Sequence, residues 1–248
     1  MMERSGEPGN GEGAAQTANL EEGRQSTAAI RYEVTFSPHA LPRVLLIMAL
    51  VLLAAHAVLA IYHYRVEELS WLLLQLFDVD EENNLPTWFS GSLLLTTSAF
   101  LWLCARKKRA DADPWFRQWY ALAVGFLLMS IDEVAGIHET INTMIEPTWA
   151  IAGGIVALVI GLAFVPFLLH LPRGVALLFV LAGAAYIGGA IGMEFVGDPM
   201  SSDTLEYNLT TLVEEGLEML GVILFLHTLL RYMRGSGANA VDASLELR

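Results

Sequence analysis

The chain has 248 residues, 54% of them hydrophobic, and a mean hydropathy of +0.48. That excludes an ordinary soluble domain, because a chain this apolar has a bilayer as its natural solvent. A net charge of −13 without a basic stripe excludes nucleic acid as partner, and one cysteine, Cys104, excludes an internal disulfide or a CxxC motif.

Residues 1–38 are rich in Gly, Glu, Ala, Ser and Thr and show no apolar periodicity. They are expected to form a disordered cytoplasmic tail. They lack the basic start and apolar stretch of a signal peptide, so the first span is expected to be an uncleaved anchor. Residues 39–234 then make the transmembrane domain. A hydrocarbon core of about 30 Å takes about 20 mostly apolar residues per helix. Six runs qualify: 43–64, 87–105, 117–141, 148–170, 174–195 and 205–232. Between the first two, LSWLLLQLF at 69–77 is too short to span and predicts an interfacial helix. Next, DEENNLPTWFSG predicts an acidic loop over the outer face, with Asn84 as N-cap and Pro86 in the first turn of the following helix. Residues 235–248 read as a second short tail. The fold class is therefore all-α, a polytopic bundle of six transmembrane helices.

Basic residues set the expected orientation. Arg31, Arg43, the run RKKR at 106–109, Arg117, Arg173, Arg231 and Arg234 all fall on one side of a six-span chain. Only Arg65 falls opposite. Both termini are expected in the cytoplasm, with the acidic loops outside.

Against that topology the acids stand out. The third run contains SIDEVAGIHE, with Asp132, Glu133, His138 and Glu139. The fifth ends IGGAIGMEFVGD and carries Glu194. The sixth begins TLEYNLTTLVEEGLEMLG and carries Glu214, Glu215 and Glu218. Three separate runs thus bring acids to one outer layer. At about 100° per residue, Thr211, Glu214, Glu215, Glu218 and Gly221 share a face of the sixth helix. Asp132, Gly136, Glu139 and Thr140 share a face of the third, with Glu133 at one edge. Ala184, Gly188 and Gly192 predict a small-residue stripe for tight packing beside this layer.

A mid-membrane acid costs roughly 2.5–3.5 kcal/mol on an insertion scale, and such residues are functional sites by default. No Lys or Arg lies in the interior of a predicted span, Arg43, Arg117 and Arg231 being at span ends. Protons, a metal cation or a water-filled cavity remain as neutralisers. His63 and His56 share a face of the first helix, and His63 is near enough to the outer end to join the layer. No nucleotide, flavin or retinal signal is present: GxGxxG and Walker loops are absent, and the only lysines, Lys107 and Lys108, flank a helix end.

FDVDEENNLPTWFSG, SIDEVAGIHE, GMEFVGD and EEGLEMLG together resemble a family of uncharacterised bacterial multipass membrane proteins, over most of residues 45–232. That resemblance implies the six-helix reading and no activity. Ser130, Asp132 and His138 look loosely similar to the ceramidase-like membrane hydrolases, but the HxxxH pair of that group is absent.

The expected function is a metal site opening to the outer face, with Glu133, His138, Glu139, Glu214 and Glu218 as ligands. Asp132 and Glu215 would be catalytic or proton-handling, and Glu194 and His63 additional members. Mixed carboxylate and imidazole suit a divalent transition metal, Zn, Fe or Mn. A membrane hydrolase or oxidase acting on a lipid-borne substrate would use it. The competing classes are a proton-coupled or cation transporter and a structural subunit with a solvated acidic vestibule.

Overall fold

The structure is a computed structural model that describes residues 33–34, 39–137, 140, 149–197, 199–235 and 241–242. It divides into two units. In the smaller one, β1 (Glu33–Val34) and β2 (Val241–Asp242) pair antiparallel, with Glu33 opposite Asp242 and Val34 opposite Val241.

The larger unit is helical. Its elements are α1 (Ala40–Arg65), α2 (Trp71–Phe77), α3 (Leu85–Ala110), α4 (Phe116–Ala135), α5 (Trp149–His170), α6 (Arg173–Ile187), a π-helical turn (Gly188–Met193), α7 (Glu194–Gly197) and α8 (Leu205–Gly235). Among the described residues, four helical stretches are long and apolar enough to cross a membrane: Ala40–Arg65, Leu85–Ala110, Ala150–His170 and Arg173–Gly197. Large apolar side chains such as Ile47, Val51, Leu158 and Leu162 are exposed on the outer surface of this unit. In water that would be a liability, and in a bilayer it is the ordinary lipid-facing surface.

α8 is the central helix and packs on α1, α3, α6 and the π turn. Its buried face includes Met219, Leu226, Leu229 and Thr228. α3 and α4 form the closest antiparallel pair. Two hydroxyls stitch them: Ser98 Oγ donates to the Ala123 carbonyl (2.7 Å) and Ser130 Oγ to the Gly91 carbonyl (2.7 Å). Such interhelical bonds suit a membrane interior, where packing rather than hydrophobicity joins helices.

The predicted start of α3 is found. Asn84 caps it by accepting the Thr87 N–H (3.1 Å), with Pro86 in the first turn. The predicted short helix is α2, whose Trp71 and Leu72 are exposed. Two expectations are corrected. The third run does not continue as one helix to residue 141. α4 ends at Ala135 because Gly136 turns left-handed (φ +55°) and its N–H caps the Asp132 carbonyl (2.8 Å). The small-residue stripe is also displaced. A side chain at Gly188 or Gly192 would meet nothing within 4 Å, and Ala184 is exposed. Ala182 and Gly189 are the buried small residues instead. Ala182 and Gly189 are seven residues apart and share one helical face, so the stripe at spacing four falls on a different face.

Candidate functional site

α4 runs from the basic loop to the opposite, acidic end of the bundle, and α8 starts from that end. The π turn lies flat on α8 there. A Cβ built on Gly189 would stand 2.6 Å from the Glu214 carbonyl oxygen and 2.9 Å from Glu218 Cγ. Only glycine permits that approach, and π turns of this kind recur at functional sites. One turn deeper, Gly221 packs on the backbone of α6, where a Cβ would stand 2.8 Å from the Ala182 carbonyl oxygen and 2.9 Å from Tyr186 N.

These contacts crowd carboxylates. Glu215 on α8 has Glu218, Glu133, Glu214 and Asp80 as its electrostatic neighbours. Tyr186 on α6 is hydrogen-bonded to the Glu218 side chain and also neighbours Glu133 and Glu215. Tyr207 hydroxyl donates to Asp80 Oδ2 (3.0 Å), with Glu194 and Glu214 nearby. α4, α8 and the loop before α3 therefore contribute to one acidic neighbourhood, bordered by two tyrosines. Of the two adjacent acids on α4, Glu133 is the one that acts on both Glu215 and Tyr186. Asp132 is half-buried beside it.

The loop from Asp78 to Asn84 is fastened across this end. Val79 is buried, and its N–H donates to His56 Nδ1 (3.3 Å) on α1. Asp80 reaches α8 through Tyr207. The Glu82 carboxyl lies directly against Gly136 at the end of α4, in the space a Cβ would take. Gly136 is thus required twice, for its positive φ and for this contact.

Two histidines are engaged in this framework. His56 is buried, with the Val79 N–H facing Nδ1, the Asp78 carboxylate 3.4 Å from that nitrogen, and the Asn208 carbonyl 3.1 Å from Nε2. Both ring nitrogens are thus engaged, one by the loop before α3 and one by α8. His63 Nδ1 accepts the Leu69 N–H (3.0 Å) and its ring meets Tyr64 edge-on. Ser130, bound to the Gly91 carbonyl, is an interhelical tie. His138 and Glu139 lie outside the described residues. Among the described residues, no three His, Cys, Asp or Glu side chains converge closely enough to hold a metal ion.

Sequence reasoning missed Tyr186, Tyr207 and Asp80 as named members. Tyr207 carried a weak signal, since it sits one turn before Thr211 on the acidic helix. Tyr186 carried none, because its hydroxyl joins the cluster only through the close approach of α6 to Gly221.

The family described as Domain of unknown function (DUF8692) matches residues 44–233, and the chain belongs to that family. No curated protein and no solved structure matches it.

Proposed function

We propose that this member of the DUF8692 family is a six-span protein of the bacterial inner membrane, with both termini inside. Its acidic end opens to the outer face and holds a divalent transition metal that serves a reaction on a lipid-borne substrate. Besides the four apolar spans, α4 has 20 residues and α8 has 31. Both are long enough to cross a core of about 30 Å at 1.5 Å per residue.

The observation that carries the reading is the crowding of Glu133, Glu214, Glu215, Glu218 and Asp80 around two tyrosines. Neighbouring carboxylates disfavour one another's ionisation, and a proton or a metal ion among them relieves that. His138 and Glu139 follow two and three residues after Gly136 and would complete a carboxylate–imidazole set for Zn, Fe or Mn. Such an ion supplies Lewis-acid polarisation or an activated water. Glu133 and Glu218 would hold it from α4 and α8, and Tyr186 would orient Glu218. Glu215 and Asp132 would take up or release protons, with Glu194 and His63 at the margin.

A proton-coupled or cation transporter is the second reading, favoured by the two tyrosine–carboxylate hydrogen bonds, which suit carboxylates that change protonation. Thermal unfolding with and without EDTA, together with flux in proteoliposomes, separates the two. The metal reading expects EDTA to lower stability, by about 2.7 kcal/mol where metal stood at a hundredfold excess over Kd. The transporter expects no EDTA effect and a cation or proton flux that Glu218→Gln abolishes. Neither result would leave the acids as a solvated vestibule in a structural subunit.

A further inference from the structure

An apolar slot of about 350 Å3 opens between α4, α5, α6 and α8. Phe126, Ala157, Gly161, Phe179, Tyr186 and Phe225 are among its walls. α5 packs on α6 and the π turn. At its basic end it reaches α4 through Phe167, whose ring meets Trp119 edge-on at 5.0 Å and closes the slot there. Small residues in a membrane bundle ordinarily let helices close on one another. Here they do the opposite: a Cβ on Gly161 or on Gly183, both slot walls, would meet nothing within 4 Å. The volume falls within the range of ligand pockets, about 300–1,000 Å3.

One residue joins this slot to the acidic end. Tyr186 lines the slot and is hydrogen-bonded to Glu218, with Glu133 and Glu215 close by. A long apolar space that ends on a hydroxyl among carboxylates matches an amphiphile in its two halves. The carboxylates repel a phosphate or carboxylate head group and favour a neutral or cationic one.

We propose that the slot between α4 and α5 holds the hydrocarbon chain of a single-chain membrane amphiphile, whose neutral or cationic head reaches the carboxylates at Tyr186. This names the substrate class and rests on that reading only in making the acidic end the site, not in the metal.

The test is photolabelling of the full chain in phosphatidylcholine nanodiscs, with a long-chain alkylamine carrying a mid-chain diazirine. Label is expected on slot-lining peptides of α4, α5 and α6, and about fivefold less with the fatty acid of equal length, a modest electrostatic discrimination. Gly161→Leu and, separately, Gly183→Leu should each lower the alkylamine label about tenfold by occupying the space. Val159→Leu, on the exposed face of α5, should leave it unchanged. Equal label from both head groups overturns the proposal, as does label untouched by both filling variants. So does a slot covered by a second copy, seen as a dimer that Gly161→Leu dissociates. Metal content of the same samples keeps the readings apart: slot filling should leave it intact, and a metal-free parent with head-selective label would sink the metal alone.

Discussion

The two ends of the bundle handle charge in opposite ways. At the basic end, charges are paired locally. Lys107 meets Asp111 (3.1 Å), and Lys108 meets Asp113 (3.1 Å) while lying 4.9 Å from the Tyr232 ring centroid. Beneath them Trp119 is buried, stacked on Tyr232 and edge-on to Phe167. At the acidic end, like charges from separate segments are driven together by backbone contacts that only glycines allow. The first arrangement needs nothing further to be stable. The second gathers acidic side chains from separate segments, and under the proposed reading a bound cation would sit among them.

The largest effect should come from breaking the basic end's packing. Trp119→Ala removes a fully buried indole and should cost about 3–5 kcal/mol, as large aromatic truncations do. Because the loss lies far from the carboxylates, metal content per folded molecule should not change. Thermal unfolding alongside elemental analysis checks both halves.

A smaller loss should follow at the acidic end from adding atoms rather than removing them. Gly189→Ala forces the π turn away from α8 and should destabilise by about 1–3 kcal/mol, the usual cost of overpacking. Gly192→Ala, three positions on in open space, should be within about 0.5 kcal/mol of the parent. Equal effects from the two would mean that the π turn does not set the packing face. Gly136→Ala belongs with Gly189→Ala, since left-handed backbone alone costs a non-glycine residue roughly 1–2 kcal/mol.

The smallest effect concerns Asp113. Burial raises its pKa, but the Trp115 N–H (2.8 Å) and the Lys108 ammonium outweigh that and hold it below the ordinary carboxylate value. A lowered folded pKa gives stability that is present above the unfolded pKa and is lost as pH falls through the folded one. The Asp113→Asn variant should therefore be less stable than the parent at neutral pH, by under about 1 kcal/mol for a partly exposed pair. The difference should vanish in acid below the usual carboxylate range. A constant difference across that titration would assign the effect to something other than charge.

The same contrast explains what the sequence could say. Helix starts were legible where a cap is local, as with Asn84 and Pro86. The end of α4 was legible in principle, because an isolated glycine in a helical run is a C-cap signal. Reading Gly136 as one more position on a helix face carried the wheel past it to Glu139 and Thr140. The π turn has no comparable signature. Spacing four, which marks Ala184, Gly188 and Gly192 as a stripe, does not say which face of the helix packs, and the packed face carries Ala182 and Gly189 instead. The crowding of Glu133 with Glu214, Glu215 and Glu218 followed from helix direction alone. The tethers of His56 and the entry of Tyr186 depend on where a loop and a neighbouring backbone pass, and no spacing in the chain encodes that.

Metal content bears most directly on the claim that α4 and α8 build one cation site. Elemental analysis of the parent, Glu133→Gln, Glu218→Gln and the double variant, each purified without added chelator, measures it. The account predicts close to one transition-metal ion per parent chain, loss of most of it in either single variant, and no further loss in the double. A parent free of transition metal, or single variants that keep it in full, would contradict a shared site.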